Sequence, residues 1–410
     1  LIGLIIFAVA LAALYLNRRL AAREVLVGWL ERQGIDADVE VERLELNGFV
    51  GKITIGDPKD PQVRVDRVEV DYAVGMPWSK AGLGVTPSRI RLVRPVARAS
   101  FKGGKLSLGS LDPLIEDFTS RPPKPDSRAP IVIIEKGQAQ VETDYGPVQL
   151  LADAHLDNNR LIALKAEMPR ASLKSGDLLA EGLTFKADLT TRGSQTGIHL
   201  TASAEGLEQG GLKAQDTSFE LNGTAPYPDA RTRQSRGPLN LRGQFTAGSL
   251  NQGDTRVQGL SADLDLKSDL KGWIDTFTLA GQTHLTLNAE GMSSGQTRAQ
   301  SLSLTSQNAT LAVSRDANRP VRWQLRGPTS ASLNQLVSGT TRLGKTRLTS
   351  EHLAIGGLGA AMEAEGPALL VSDRIQSGDL DLKNARGLMQ LDLVRDGAAR
   401  MTLNGDLSVA

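Results

Sequence analysis

The chain has no cysteine. Disulfides and thiolate metal sites are therefore excluded, and an oxidising compartment is compatible with the sequence without being indicated by it. Aromatic residues make up only 4% of the 410 positions, too few for the girdles of a membrane β-barrel. An excess of one charge sign is also missing. Lys and Arg number 47 against 46 Asp and Glu, a formal net charge of +1, which argues against a nucleic-acid binder. The four histidines, His155, His199, His284 and His352, are far apart and have no HxH or HxxxH spacing. They read as polar-face strand residues, and no metal or cofactor is expected. Helical patterning of ordinary length is absent after residue 34.

What is present begins with Leu1–Leu16 (LIGLIIFAVALAALYL), a stretch without charge. Leu4, Ile5, Ile6, Phe7, Leu11 and Leu14 form its apolar body. A spanning helix needs about 20 apolar residues. The chain opens on Leu rather than Met, so residues preceding it are expected to complete the span. Ala8-Val9-Ala10 also resembles a signal-peptide cleavage site. The apolar run continues to Leu16, which a cleaved peptide does not need, so a retained anchor is expected. N-terminal sequencing that began near Leu11 would contradict it. Arg18 and Arg19 alone would place that flank in the cytoplasm. Leu20–Gln33 has the spacing of an amphipathic helix, stopped by Gly34. Its Trp29 fits either a membrane interface or, preferably, the end of the β body. Residues 1–34 thus form one segment.

From Asp38 the apolar period becomes two. Val39–Leu46 (VEVERLEL) and Val63–Val70 (VRVDRVEV) share one pattern, and both slip phase once, at 41–44 and at 65–68. A bulge absorbs such a slip. The repeat predicts two related strands near each other, with a turn at Gly56-Asp57-Pro58. Residues 89–108 read as short strands broken at Pro95 and Gly103-Gly104, and Leu111–Phe118 as a short helix. The N-terminal β unit is set at 35–118. Thr119–Pro130 (TSRPPKPDSRAP) contains four prolines, which deny it a strand ladder. It is the expected boundary. Limited proteolysis is expected to cut here first; earlier cleavage within 260–289 would contradict this.

Residues 131–410 are a repetitive β region, with runs of 7 to 12 residues punctuated by Gly, Asn, Asp or Ser. Leu183, Phe185, Ala187 and Leu189 alternate with polar residues, as do Ile198, Leu200, Ala202 and Ala204. So do Leu239, Leu241, Gly243, Phe245 and Ala247, then Leu260, Ala262, Leu264 and Leu266. Phe277, Leu279, Leu285 and Leu287 continue the apolar face. Val321, Trp323 and Leu325 follow, then Met389, Leu391 and Leu393, and Met401 and Leu403. One apolar and one polar face mark antiparallel sheet wetted on one side. Leu264 is expected inward and Asp265 outward. Ala-Glu-Gly recurs at Ala180, Ala204, Ala289 and Ala364. At roughly 15 residues per strand and turn, about 25 strands are expected, giving a groove on the order of 100 Å long. The strand character persists to Ala410, and the array is expected to continue.

Nothing resembles a complete catalytic set. Gly291-Met292-Ser293-Ser294-Gly295 matches the GxSxG spacing of a nucleophile elbow, but that motif requires a strand before it and a helix after it. A strand is expected after it instead. Gly356-Gly357-Leu358-Gly359 lacks the helix and Lys of a phosphate cradle. Asp263 and Asp265 read as solubilising outer-face residues, and Arg231–Arg236 (RTRQSR) as a solvated loop. The apolar face must be buried by closing, sandwiching or curling the sheet. Many inward positions are Ala, Gly, Thr or Leu rather than large core residues, which is what a groove for acyl chains would look like.

The anchor, the VEVERLEL and VRVDRVEV strands, and the Gly-punctuated array resemble the AsmA-like proteins of Gram-negative envelopes, YdbH and TamB among them. Pro130–Gln149 (PIVIIEKGQAQVETDYGPVQ) is most similar to the YdbH branch. The resemblance implies a mainly β fold: an N-terminal transmembrane and amphipathic helix, then an elongated, curled antiparallel β-groove with an apolar interior. It implies a single-pass inner-membrane protein with its body in the periplasm. It also implies non-enzymatic phospholipid transport towards the outer membrane, with an outer-membrane or lipoprotein partner at the distal end. Family members are usually longer, so an N-terminal part is expected. The residues also admit an assembly factor that templates outer-membrane strands by β-augmentation, and a structural tether.

Overall fold

The computed structural model describes residues 23–24, 27, 31, 36–45, 47–57, 59–75, 84–103, 105–112, 129–228, 234–273, 275–317, 319–359, 361–396, 400–404 and 408–409. Leu1–Leu16 lies outside the described residues, with Leu4, Ile5, Ile6, Phe7, Leu11 and Leu14. So do Trp29, residues 113–118 of the expected short helix, most of the proline-rich segment, and Arg231. Among the described residues no helix is long and apolar enough to cross a membrane. Contacts divide the chain into two compact units, 1–171 with 186–190, and 172–185 with 191–410. The described residues form 23 strands, close to the expected number.

In the first unit, β1 (Ala37–Glu45), β2 (Gly48–Ile55), β3 (Val63–Gly75) and β4 (Gly84–Lys102) form an antiparallel meander. The two similar stretches lie in β1 and β3 and flank β2. Both expected slips are bulges. The register shifts between Val41 and Arg43 on β1, and Val65 to Val68 on β3 faces only Ile53 to Gly51 on β2. Val39 and Val68 are consequently buried.

The expected break at Pro95 is corrected: β4 runs through it for 19 residues. Arg94 takes φ 50°, a local irregularity that leaves the register with β3 and β6 unchanged on either side, and Pro95 beside it is not paired with β6. β4 turns at Gly103 into β5 (Lys105–Ser107), and a 3-10 turn follows at Gly109–Leu111. β6 (Ile131–Thr143) then joins β4 in parallel. The wholly antiparallel expectation is thus also corrected. Residues 103–130, the proline-rich segment included, provide the long crossover that a parallel pair requires. β7 (Gly146–Asp157) and β8 (Arg160–Ser175) continue antiparallel.

Arg91 fastens this parallel joint. Its Nε and Nη2 donate to the two oxygens of Glu135 on β6, both at 2.8 Å, and Nη1 donates to Glu69 on β3 at 3.1 Å. Partial burial alone would raise the Glu69 carboxyl. Hydrogen bonds from Arg67 and Arg91 outweigh burial and hold it below the usual carboxylate range. A carboxyl depressed by folding stabilises above its unfolded pKa, about 4.3, and that contribution disappears as pH falls through the lower folded value. Glu69→Gln is therefore expected to cost about 1 kcal/mol near neutral pH, since the pair is partly wetted. The urea midpoints of variant and wild type should converge in acid.

The second unit takes most of β9 (Leu178–Arg192), followed by β10 (Gln195–Gln209), β11 (Leu212–Pro226) and β12 (Ser235–Gln252). Then come β13 (Thr255–Gly272), β14 (Phe277–Ser294), β15 (Thr297–Arg315) and β16 (Arg322–Leu333). The hairpin of β17 (Gln335–Ser338) and β18 (Thr341–Leu343) continues that of β16 and β19 (Thr346–Leu358). β20 (Ala361–Ser377), β21 (Leu380–Asp396) and the short β22 (Arg400–Asn404) and β23 (Ser408–Val409) complete it. From β10 onward the described pairs are antiparallel. From β9 to β15 the strands run 15 to 19 residues, longer than the expected 7 to 12.

A seam of backbone irregularities explains that difference. Gly182, Asp216, Gly259 and Ser301 all have positive φ, and they fall on alternate strands β9, β11, β13 and β15. The register sets Asp216 between Glu205 and Gly248, Gly259 beside Gly248, and Ser301 beside Glu290. The seam continues through the break at Asn334, the break at Gly344-Lys345, and Asn384 at φ 52°. Apolar positions change parity at the seam, for example from Val257 to Leu260 and from Ala299 to Leu302. The ladders keep register across the seam, so neighbouring strands change parity together and both halves keep their apolar side toward one core. Glu205 and Glu290, from two Ala-Glu-Gly triplets, lie over Gly182 and Gly259, where a Cβ would come within 2.6 and 2.5 Å of their carboxyl carbons.

Candidate functional site

Alternation places Leu, Ala, Gly and small hydroxyl side chains on one face of the second unit. Across β12–β14 the register sets Leu241 opposite Leu266, Gly243 opposite Leu264, and Leu264 opposite Leu285. Leu239, Leu266 and Leu279 are buried, and Leu241, Leu264, Leu270, Leu311 and Val313 pack around them. The next row along passes from Ala262 to Leu287, Leu304, Ala331, Leu348 and Leu370.

This second row opens into a cavity of about 520 Å³, within the range of small-molecule sites. Leu260 of β13, Leu287 of β14, Leu302 and Leu304 of β15, and Leu333 of β16 line it. Leu343, Leu348 and Leu370 continue the wall, and Met389 and Leu391 of β21 close it. Six ladder steps separate β13 from β21, which would span about 29 Å in a flat sheet. Side chains from both ends meet around one cavity, so the sheet of this unit curls. The cavity lies along the seam: Ala289, Leu302, Leu333 and Leu343 in its wall immediately adjoin the seam positions.

The chemistry of the face is narrow. Every buried polar side chain among the described residues is Ser or Thr. These hydroxyls bond to one another or to the backbone, apart from Ser249, which donates to the Gln215 side chain. Thr283 Oγ1 donates to Asp265 O at 3.1 Å, Ser306 Oγ to Pro328 O at 3.0 Å, and Thr346 and Ser372 pair at 2.8 Å. Among the described residues no ionisable side chain lines the cavity. The charged groups occupy the other face. Arg242 Nε donates to Asp265 at 3.1 Å and Gln244 Nε2 to Asp263 at 2.9 Å, as the alternation requires. Arg374 holds the Asp381 carboxyl below its usual range through two hydrogen bonds of 2.9 and 2.8 Å. His199 bonds to Asn222, and His284 to Thr286.

The sequence-derived positions divide into groups. Leu239, Leu241, Leu264, Leu266 and Leu279 meet in one cluster. Leu260 and Leu287 reach the cavity. Phe245 sits between Phe219 and Ala262, and Leu285 between Leu264 and Ser306. Leu325 is buried between Leu311 and Ile355. Trp323 lies over Gly357, where a Cβ would come within 2.7 Å of Nε1. Leu183, Phe185, Leu189, Leu200 and Phe277 are half-buried. Val321 precedes β16 and is exposed. Sequence reasoning missed Leu302, Leu304, Leu333, Leu343, Leu348 and Leu370. Leu302 and Leu304 alternate legibly with serines, but Leu343 and Leu348 are separated by the break at Gly344-Lys345. Gly291–Gly295 lies at the β14–β15 hairpin, with strands on both sides, so the elbow geometry is not formed.

The apolar, uncharged cavity accords with the comparison to known proteins. The match is to a lipid-transport family and not to an enzyme family. A model described as YdbH-like, intermembrane phospholipid transport protein YdbH, matches residues 5–209, half of the chain, and the chain belongs to this YdbH-like family. The matched segment ends in β10, and the cavity lies beyond it. No curated protein matches the chain, and no solved structure does.

Proposed function

We propose that the chain is a non-enzymatic conduit for phospholipids between the inner and outer membranes of a Gram-negative envelope. Residues 1–34 tether it to the inner membrane, its body occupies the periplasm, and a partner at the outer membrane receives the lipid. Acyl chains lie on the inward face of the second unit, while headgroups remain in water at the open side. The observation that carries this reading is the cavity of about 520 Å³ walled mainly by Leu, Ala and Met, with Asn288, Ser303, Ser332 and Thr346 and, among the described residues, no ionisable group. The description of the family as intermembrane phospholipid transport proteins supports the same cargo.

Each buried methylene gains about 0.8 kcal/mol. Rows of similar side chains offer that gain repeatedly along the face, which lets a lipid shift without a large barrier. Mass spectrometry of an organic extract of the purified chain is expected to find diacyl phospholipid retained after detergent exchange. A lipid-free extract from folded protein would contradict the reading.

A further inference from the structure

The first unit carries an exposed aromatic tip. β4 and β6 extend past the level at which β1, β2 and β3 end, a level fixed by the register Ala37–Ile55–Val63–Ala97–Ala139. β4 runs five residues further, to Lys102, an overhang of about 16 Å. The β4–β5 and β6–β7 turns sit together at its end. Gly103 N donates to Asp144 Oδ2 across them at 2.7 Å, and Tyr145 N donates to Thr143 Oγ1 at 3.0 Å. Phe101 and Tyr145 stand 43% and 42% exposed on this clasped tip, and Lys102 and Lys105 are exposed beside them. The Asp144 carboxylate is engaged by the clasp, Asp60 by Arg98, and Asp112, which lies near Lys105, by Ser107 and the Leu108 amide; Glu142 is a further acid on β6 beside the tip.

The N-terminal segment reaches the same end of this sheet. Arg23 Nε donates to Val39 O at 3.0 Å and Nη2 to Asp38 Oδ1 at 2.7 Å. Only six residues lie between Leu16 and Arg23, a reach of at most about 25 Å over the seven steps. We propose that the clasped tip rests on the surface of the bilayer that holds residues 1–16, with Phe101 and Tyr145 at headgroup level and Lys102 and Lys105 against lipid phosphates. Aromatic rings with one wet edge favour that depth, and lysine stems reach from it to the phosphates. The contact gives the body a second attachment beside the anchor and fixes its first unit against the membrane. The inference rests on the anchor reading and is independent of where the acyl chains lie.

The absence of cysteine makes single-site labelling direct. The full chain is reconstituted in vesicles of phosphatidylethanolamine and phosphatidylglycerol, with an environment-sensitive fluorophore on Tyr145→Cys or on Glu45→Cys. Glu45 lies at the opposite end of β1 and serves as the control. Flotation with the vesicles reports the anchor separately. The label at 145 is expected to be shielded from aqueous iodide by roughly threefold or more relative to 45, and to be quenched by lipids nitroxide-labelled near the headgroup. Phe101→Glu should reduce that shielding while flotation persists. Floating protein with equal quenching at both sites overturns the proposal, as does shielding at 145 that is already present without vesicles. Failure to float overturns the anchor reading and this inference with it.

Discussion

Leu287→Arg is expected to lower the phospholipid retained by the purified chain at least about tenfold, whereas Asp265→Arg leaves it near the wild-type amount. Leu287 lines the cavity and faces Ala262 and Leu304 across its two ladders. A guanidinium there has no carboxylate within the wall, and an unpaired charge in an apolar site costs several kcal/mol. A penalty of only 1.4 kcal/mol already corresponds to tenfold in affinity. Asp265 lies on the opposite face, paired with Arg242 in solvent. Losing that pair costs under about 1 kcal/mol and does not touch the apolar surface. Both variants should fold, because stability in a stacked array is distributed among neighbours. The ratio of lipid phosphate to protein in the folded variants reads the result directly.

The largest expected effect on stability comes from a glycine. A Cβ at Gly281 would fall 2.1 Å from Lys267 O and 2.4 Å from Ser268 Cα. Both are backbone atoms of β13, so no side chain can swing away. Gly281→Ala is therefore expected to cost about 3 kcal/mol, the upper end for an overpacked site. Hydrogen exchange should accelerate in β13, β14 and β15 while the first unit is unchanged. Gly291 on the same strand is the control. Its added Cβ would meet Ala299 O at 3.6 Å, an ordinary contact, and Gly291→Ala should stay within about 0.5 kcal/mol of wild type.

These two positions illustrate what a sequence pattern conveys and what it omits. The face assignment of Leu264 and Asp265 follows from alternation alone. The similar stretches at 39–46 and 63–70 announced their bulges through one-step phase slips. The same signal was present along the second unit but went unread. At Gly259, for instance, the parity changes between Val257 and Leu260, so one 18-residue strand resembles a 7-residue run followed by something else. The partner that turns such a slip into part of a seam lies on another strand, at Gly248 or Glu290, and local pattern cannot reveal it. The parallel pairing of β4 with β6 is non-local for the same reason. Pro95 misled because a proline can end a strand or sit at a local irregularity within one, and only the Arg94 backbone, with φ 50°, decides between them. The cavity was half legible. Leu260 and Leu287 belong to clean alternations, whereas Leu343, Leu348 and Leu370 become its wall only when the sheet curls.

A photo-crosslinking residue placed in turn at 263, 264, 265 and 287 tests the central claim most directly. Leu264 and Leu287 face inward, while Asp265 carries its ion pair outward and the exposed Asp263 accepts from Gln244 on the same outer face. Irradiation in the cell envelope, followed by mass spectrometry of the purified adducts, is predicted to find phospholipid at 264 and 287 and none at 263 and 265. Equal capture at all four, or no capture at either inward position in folded protein, would contradict the account.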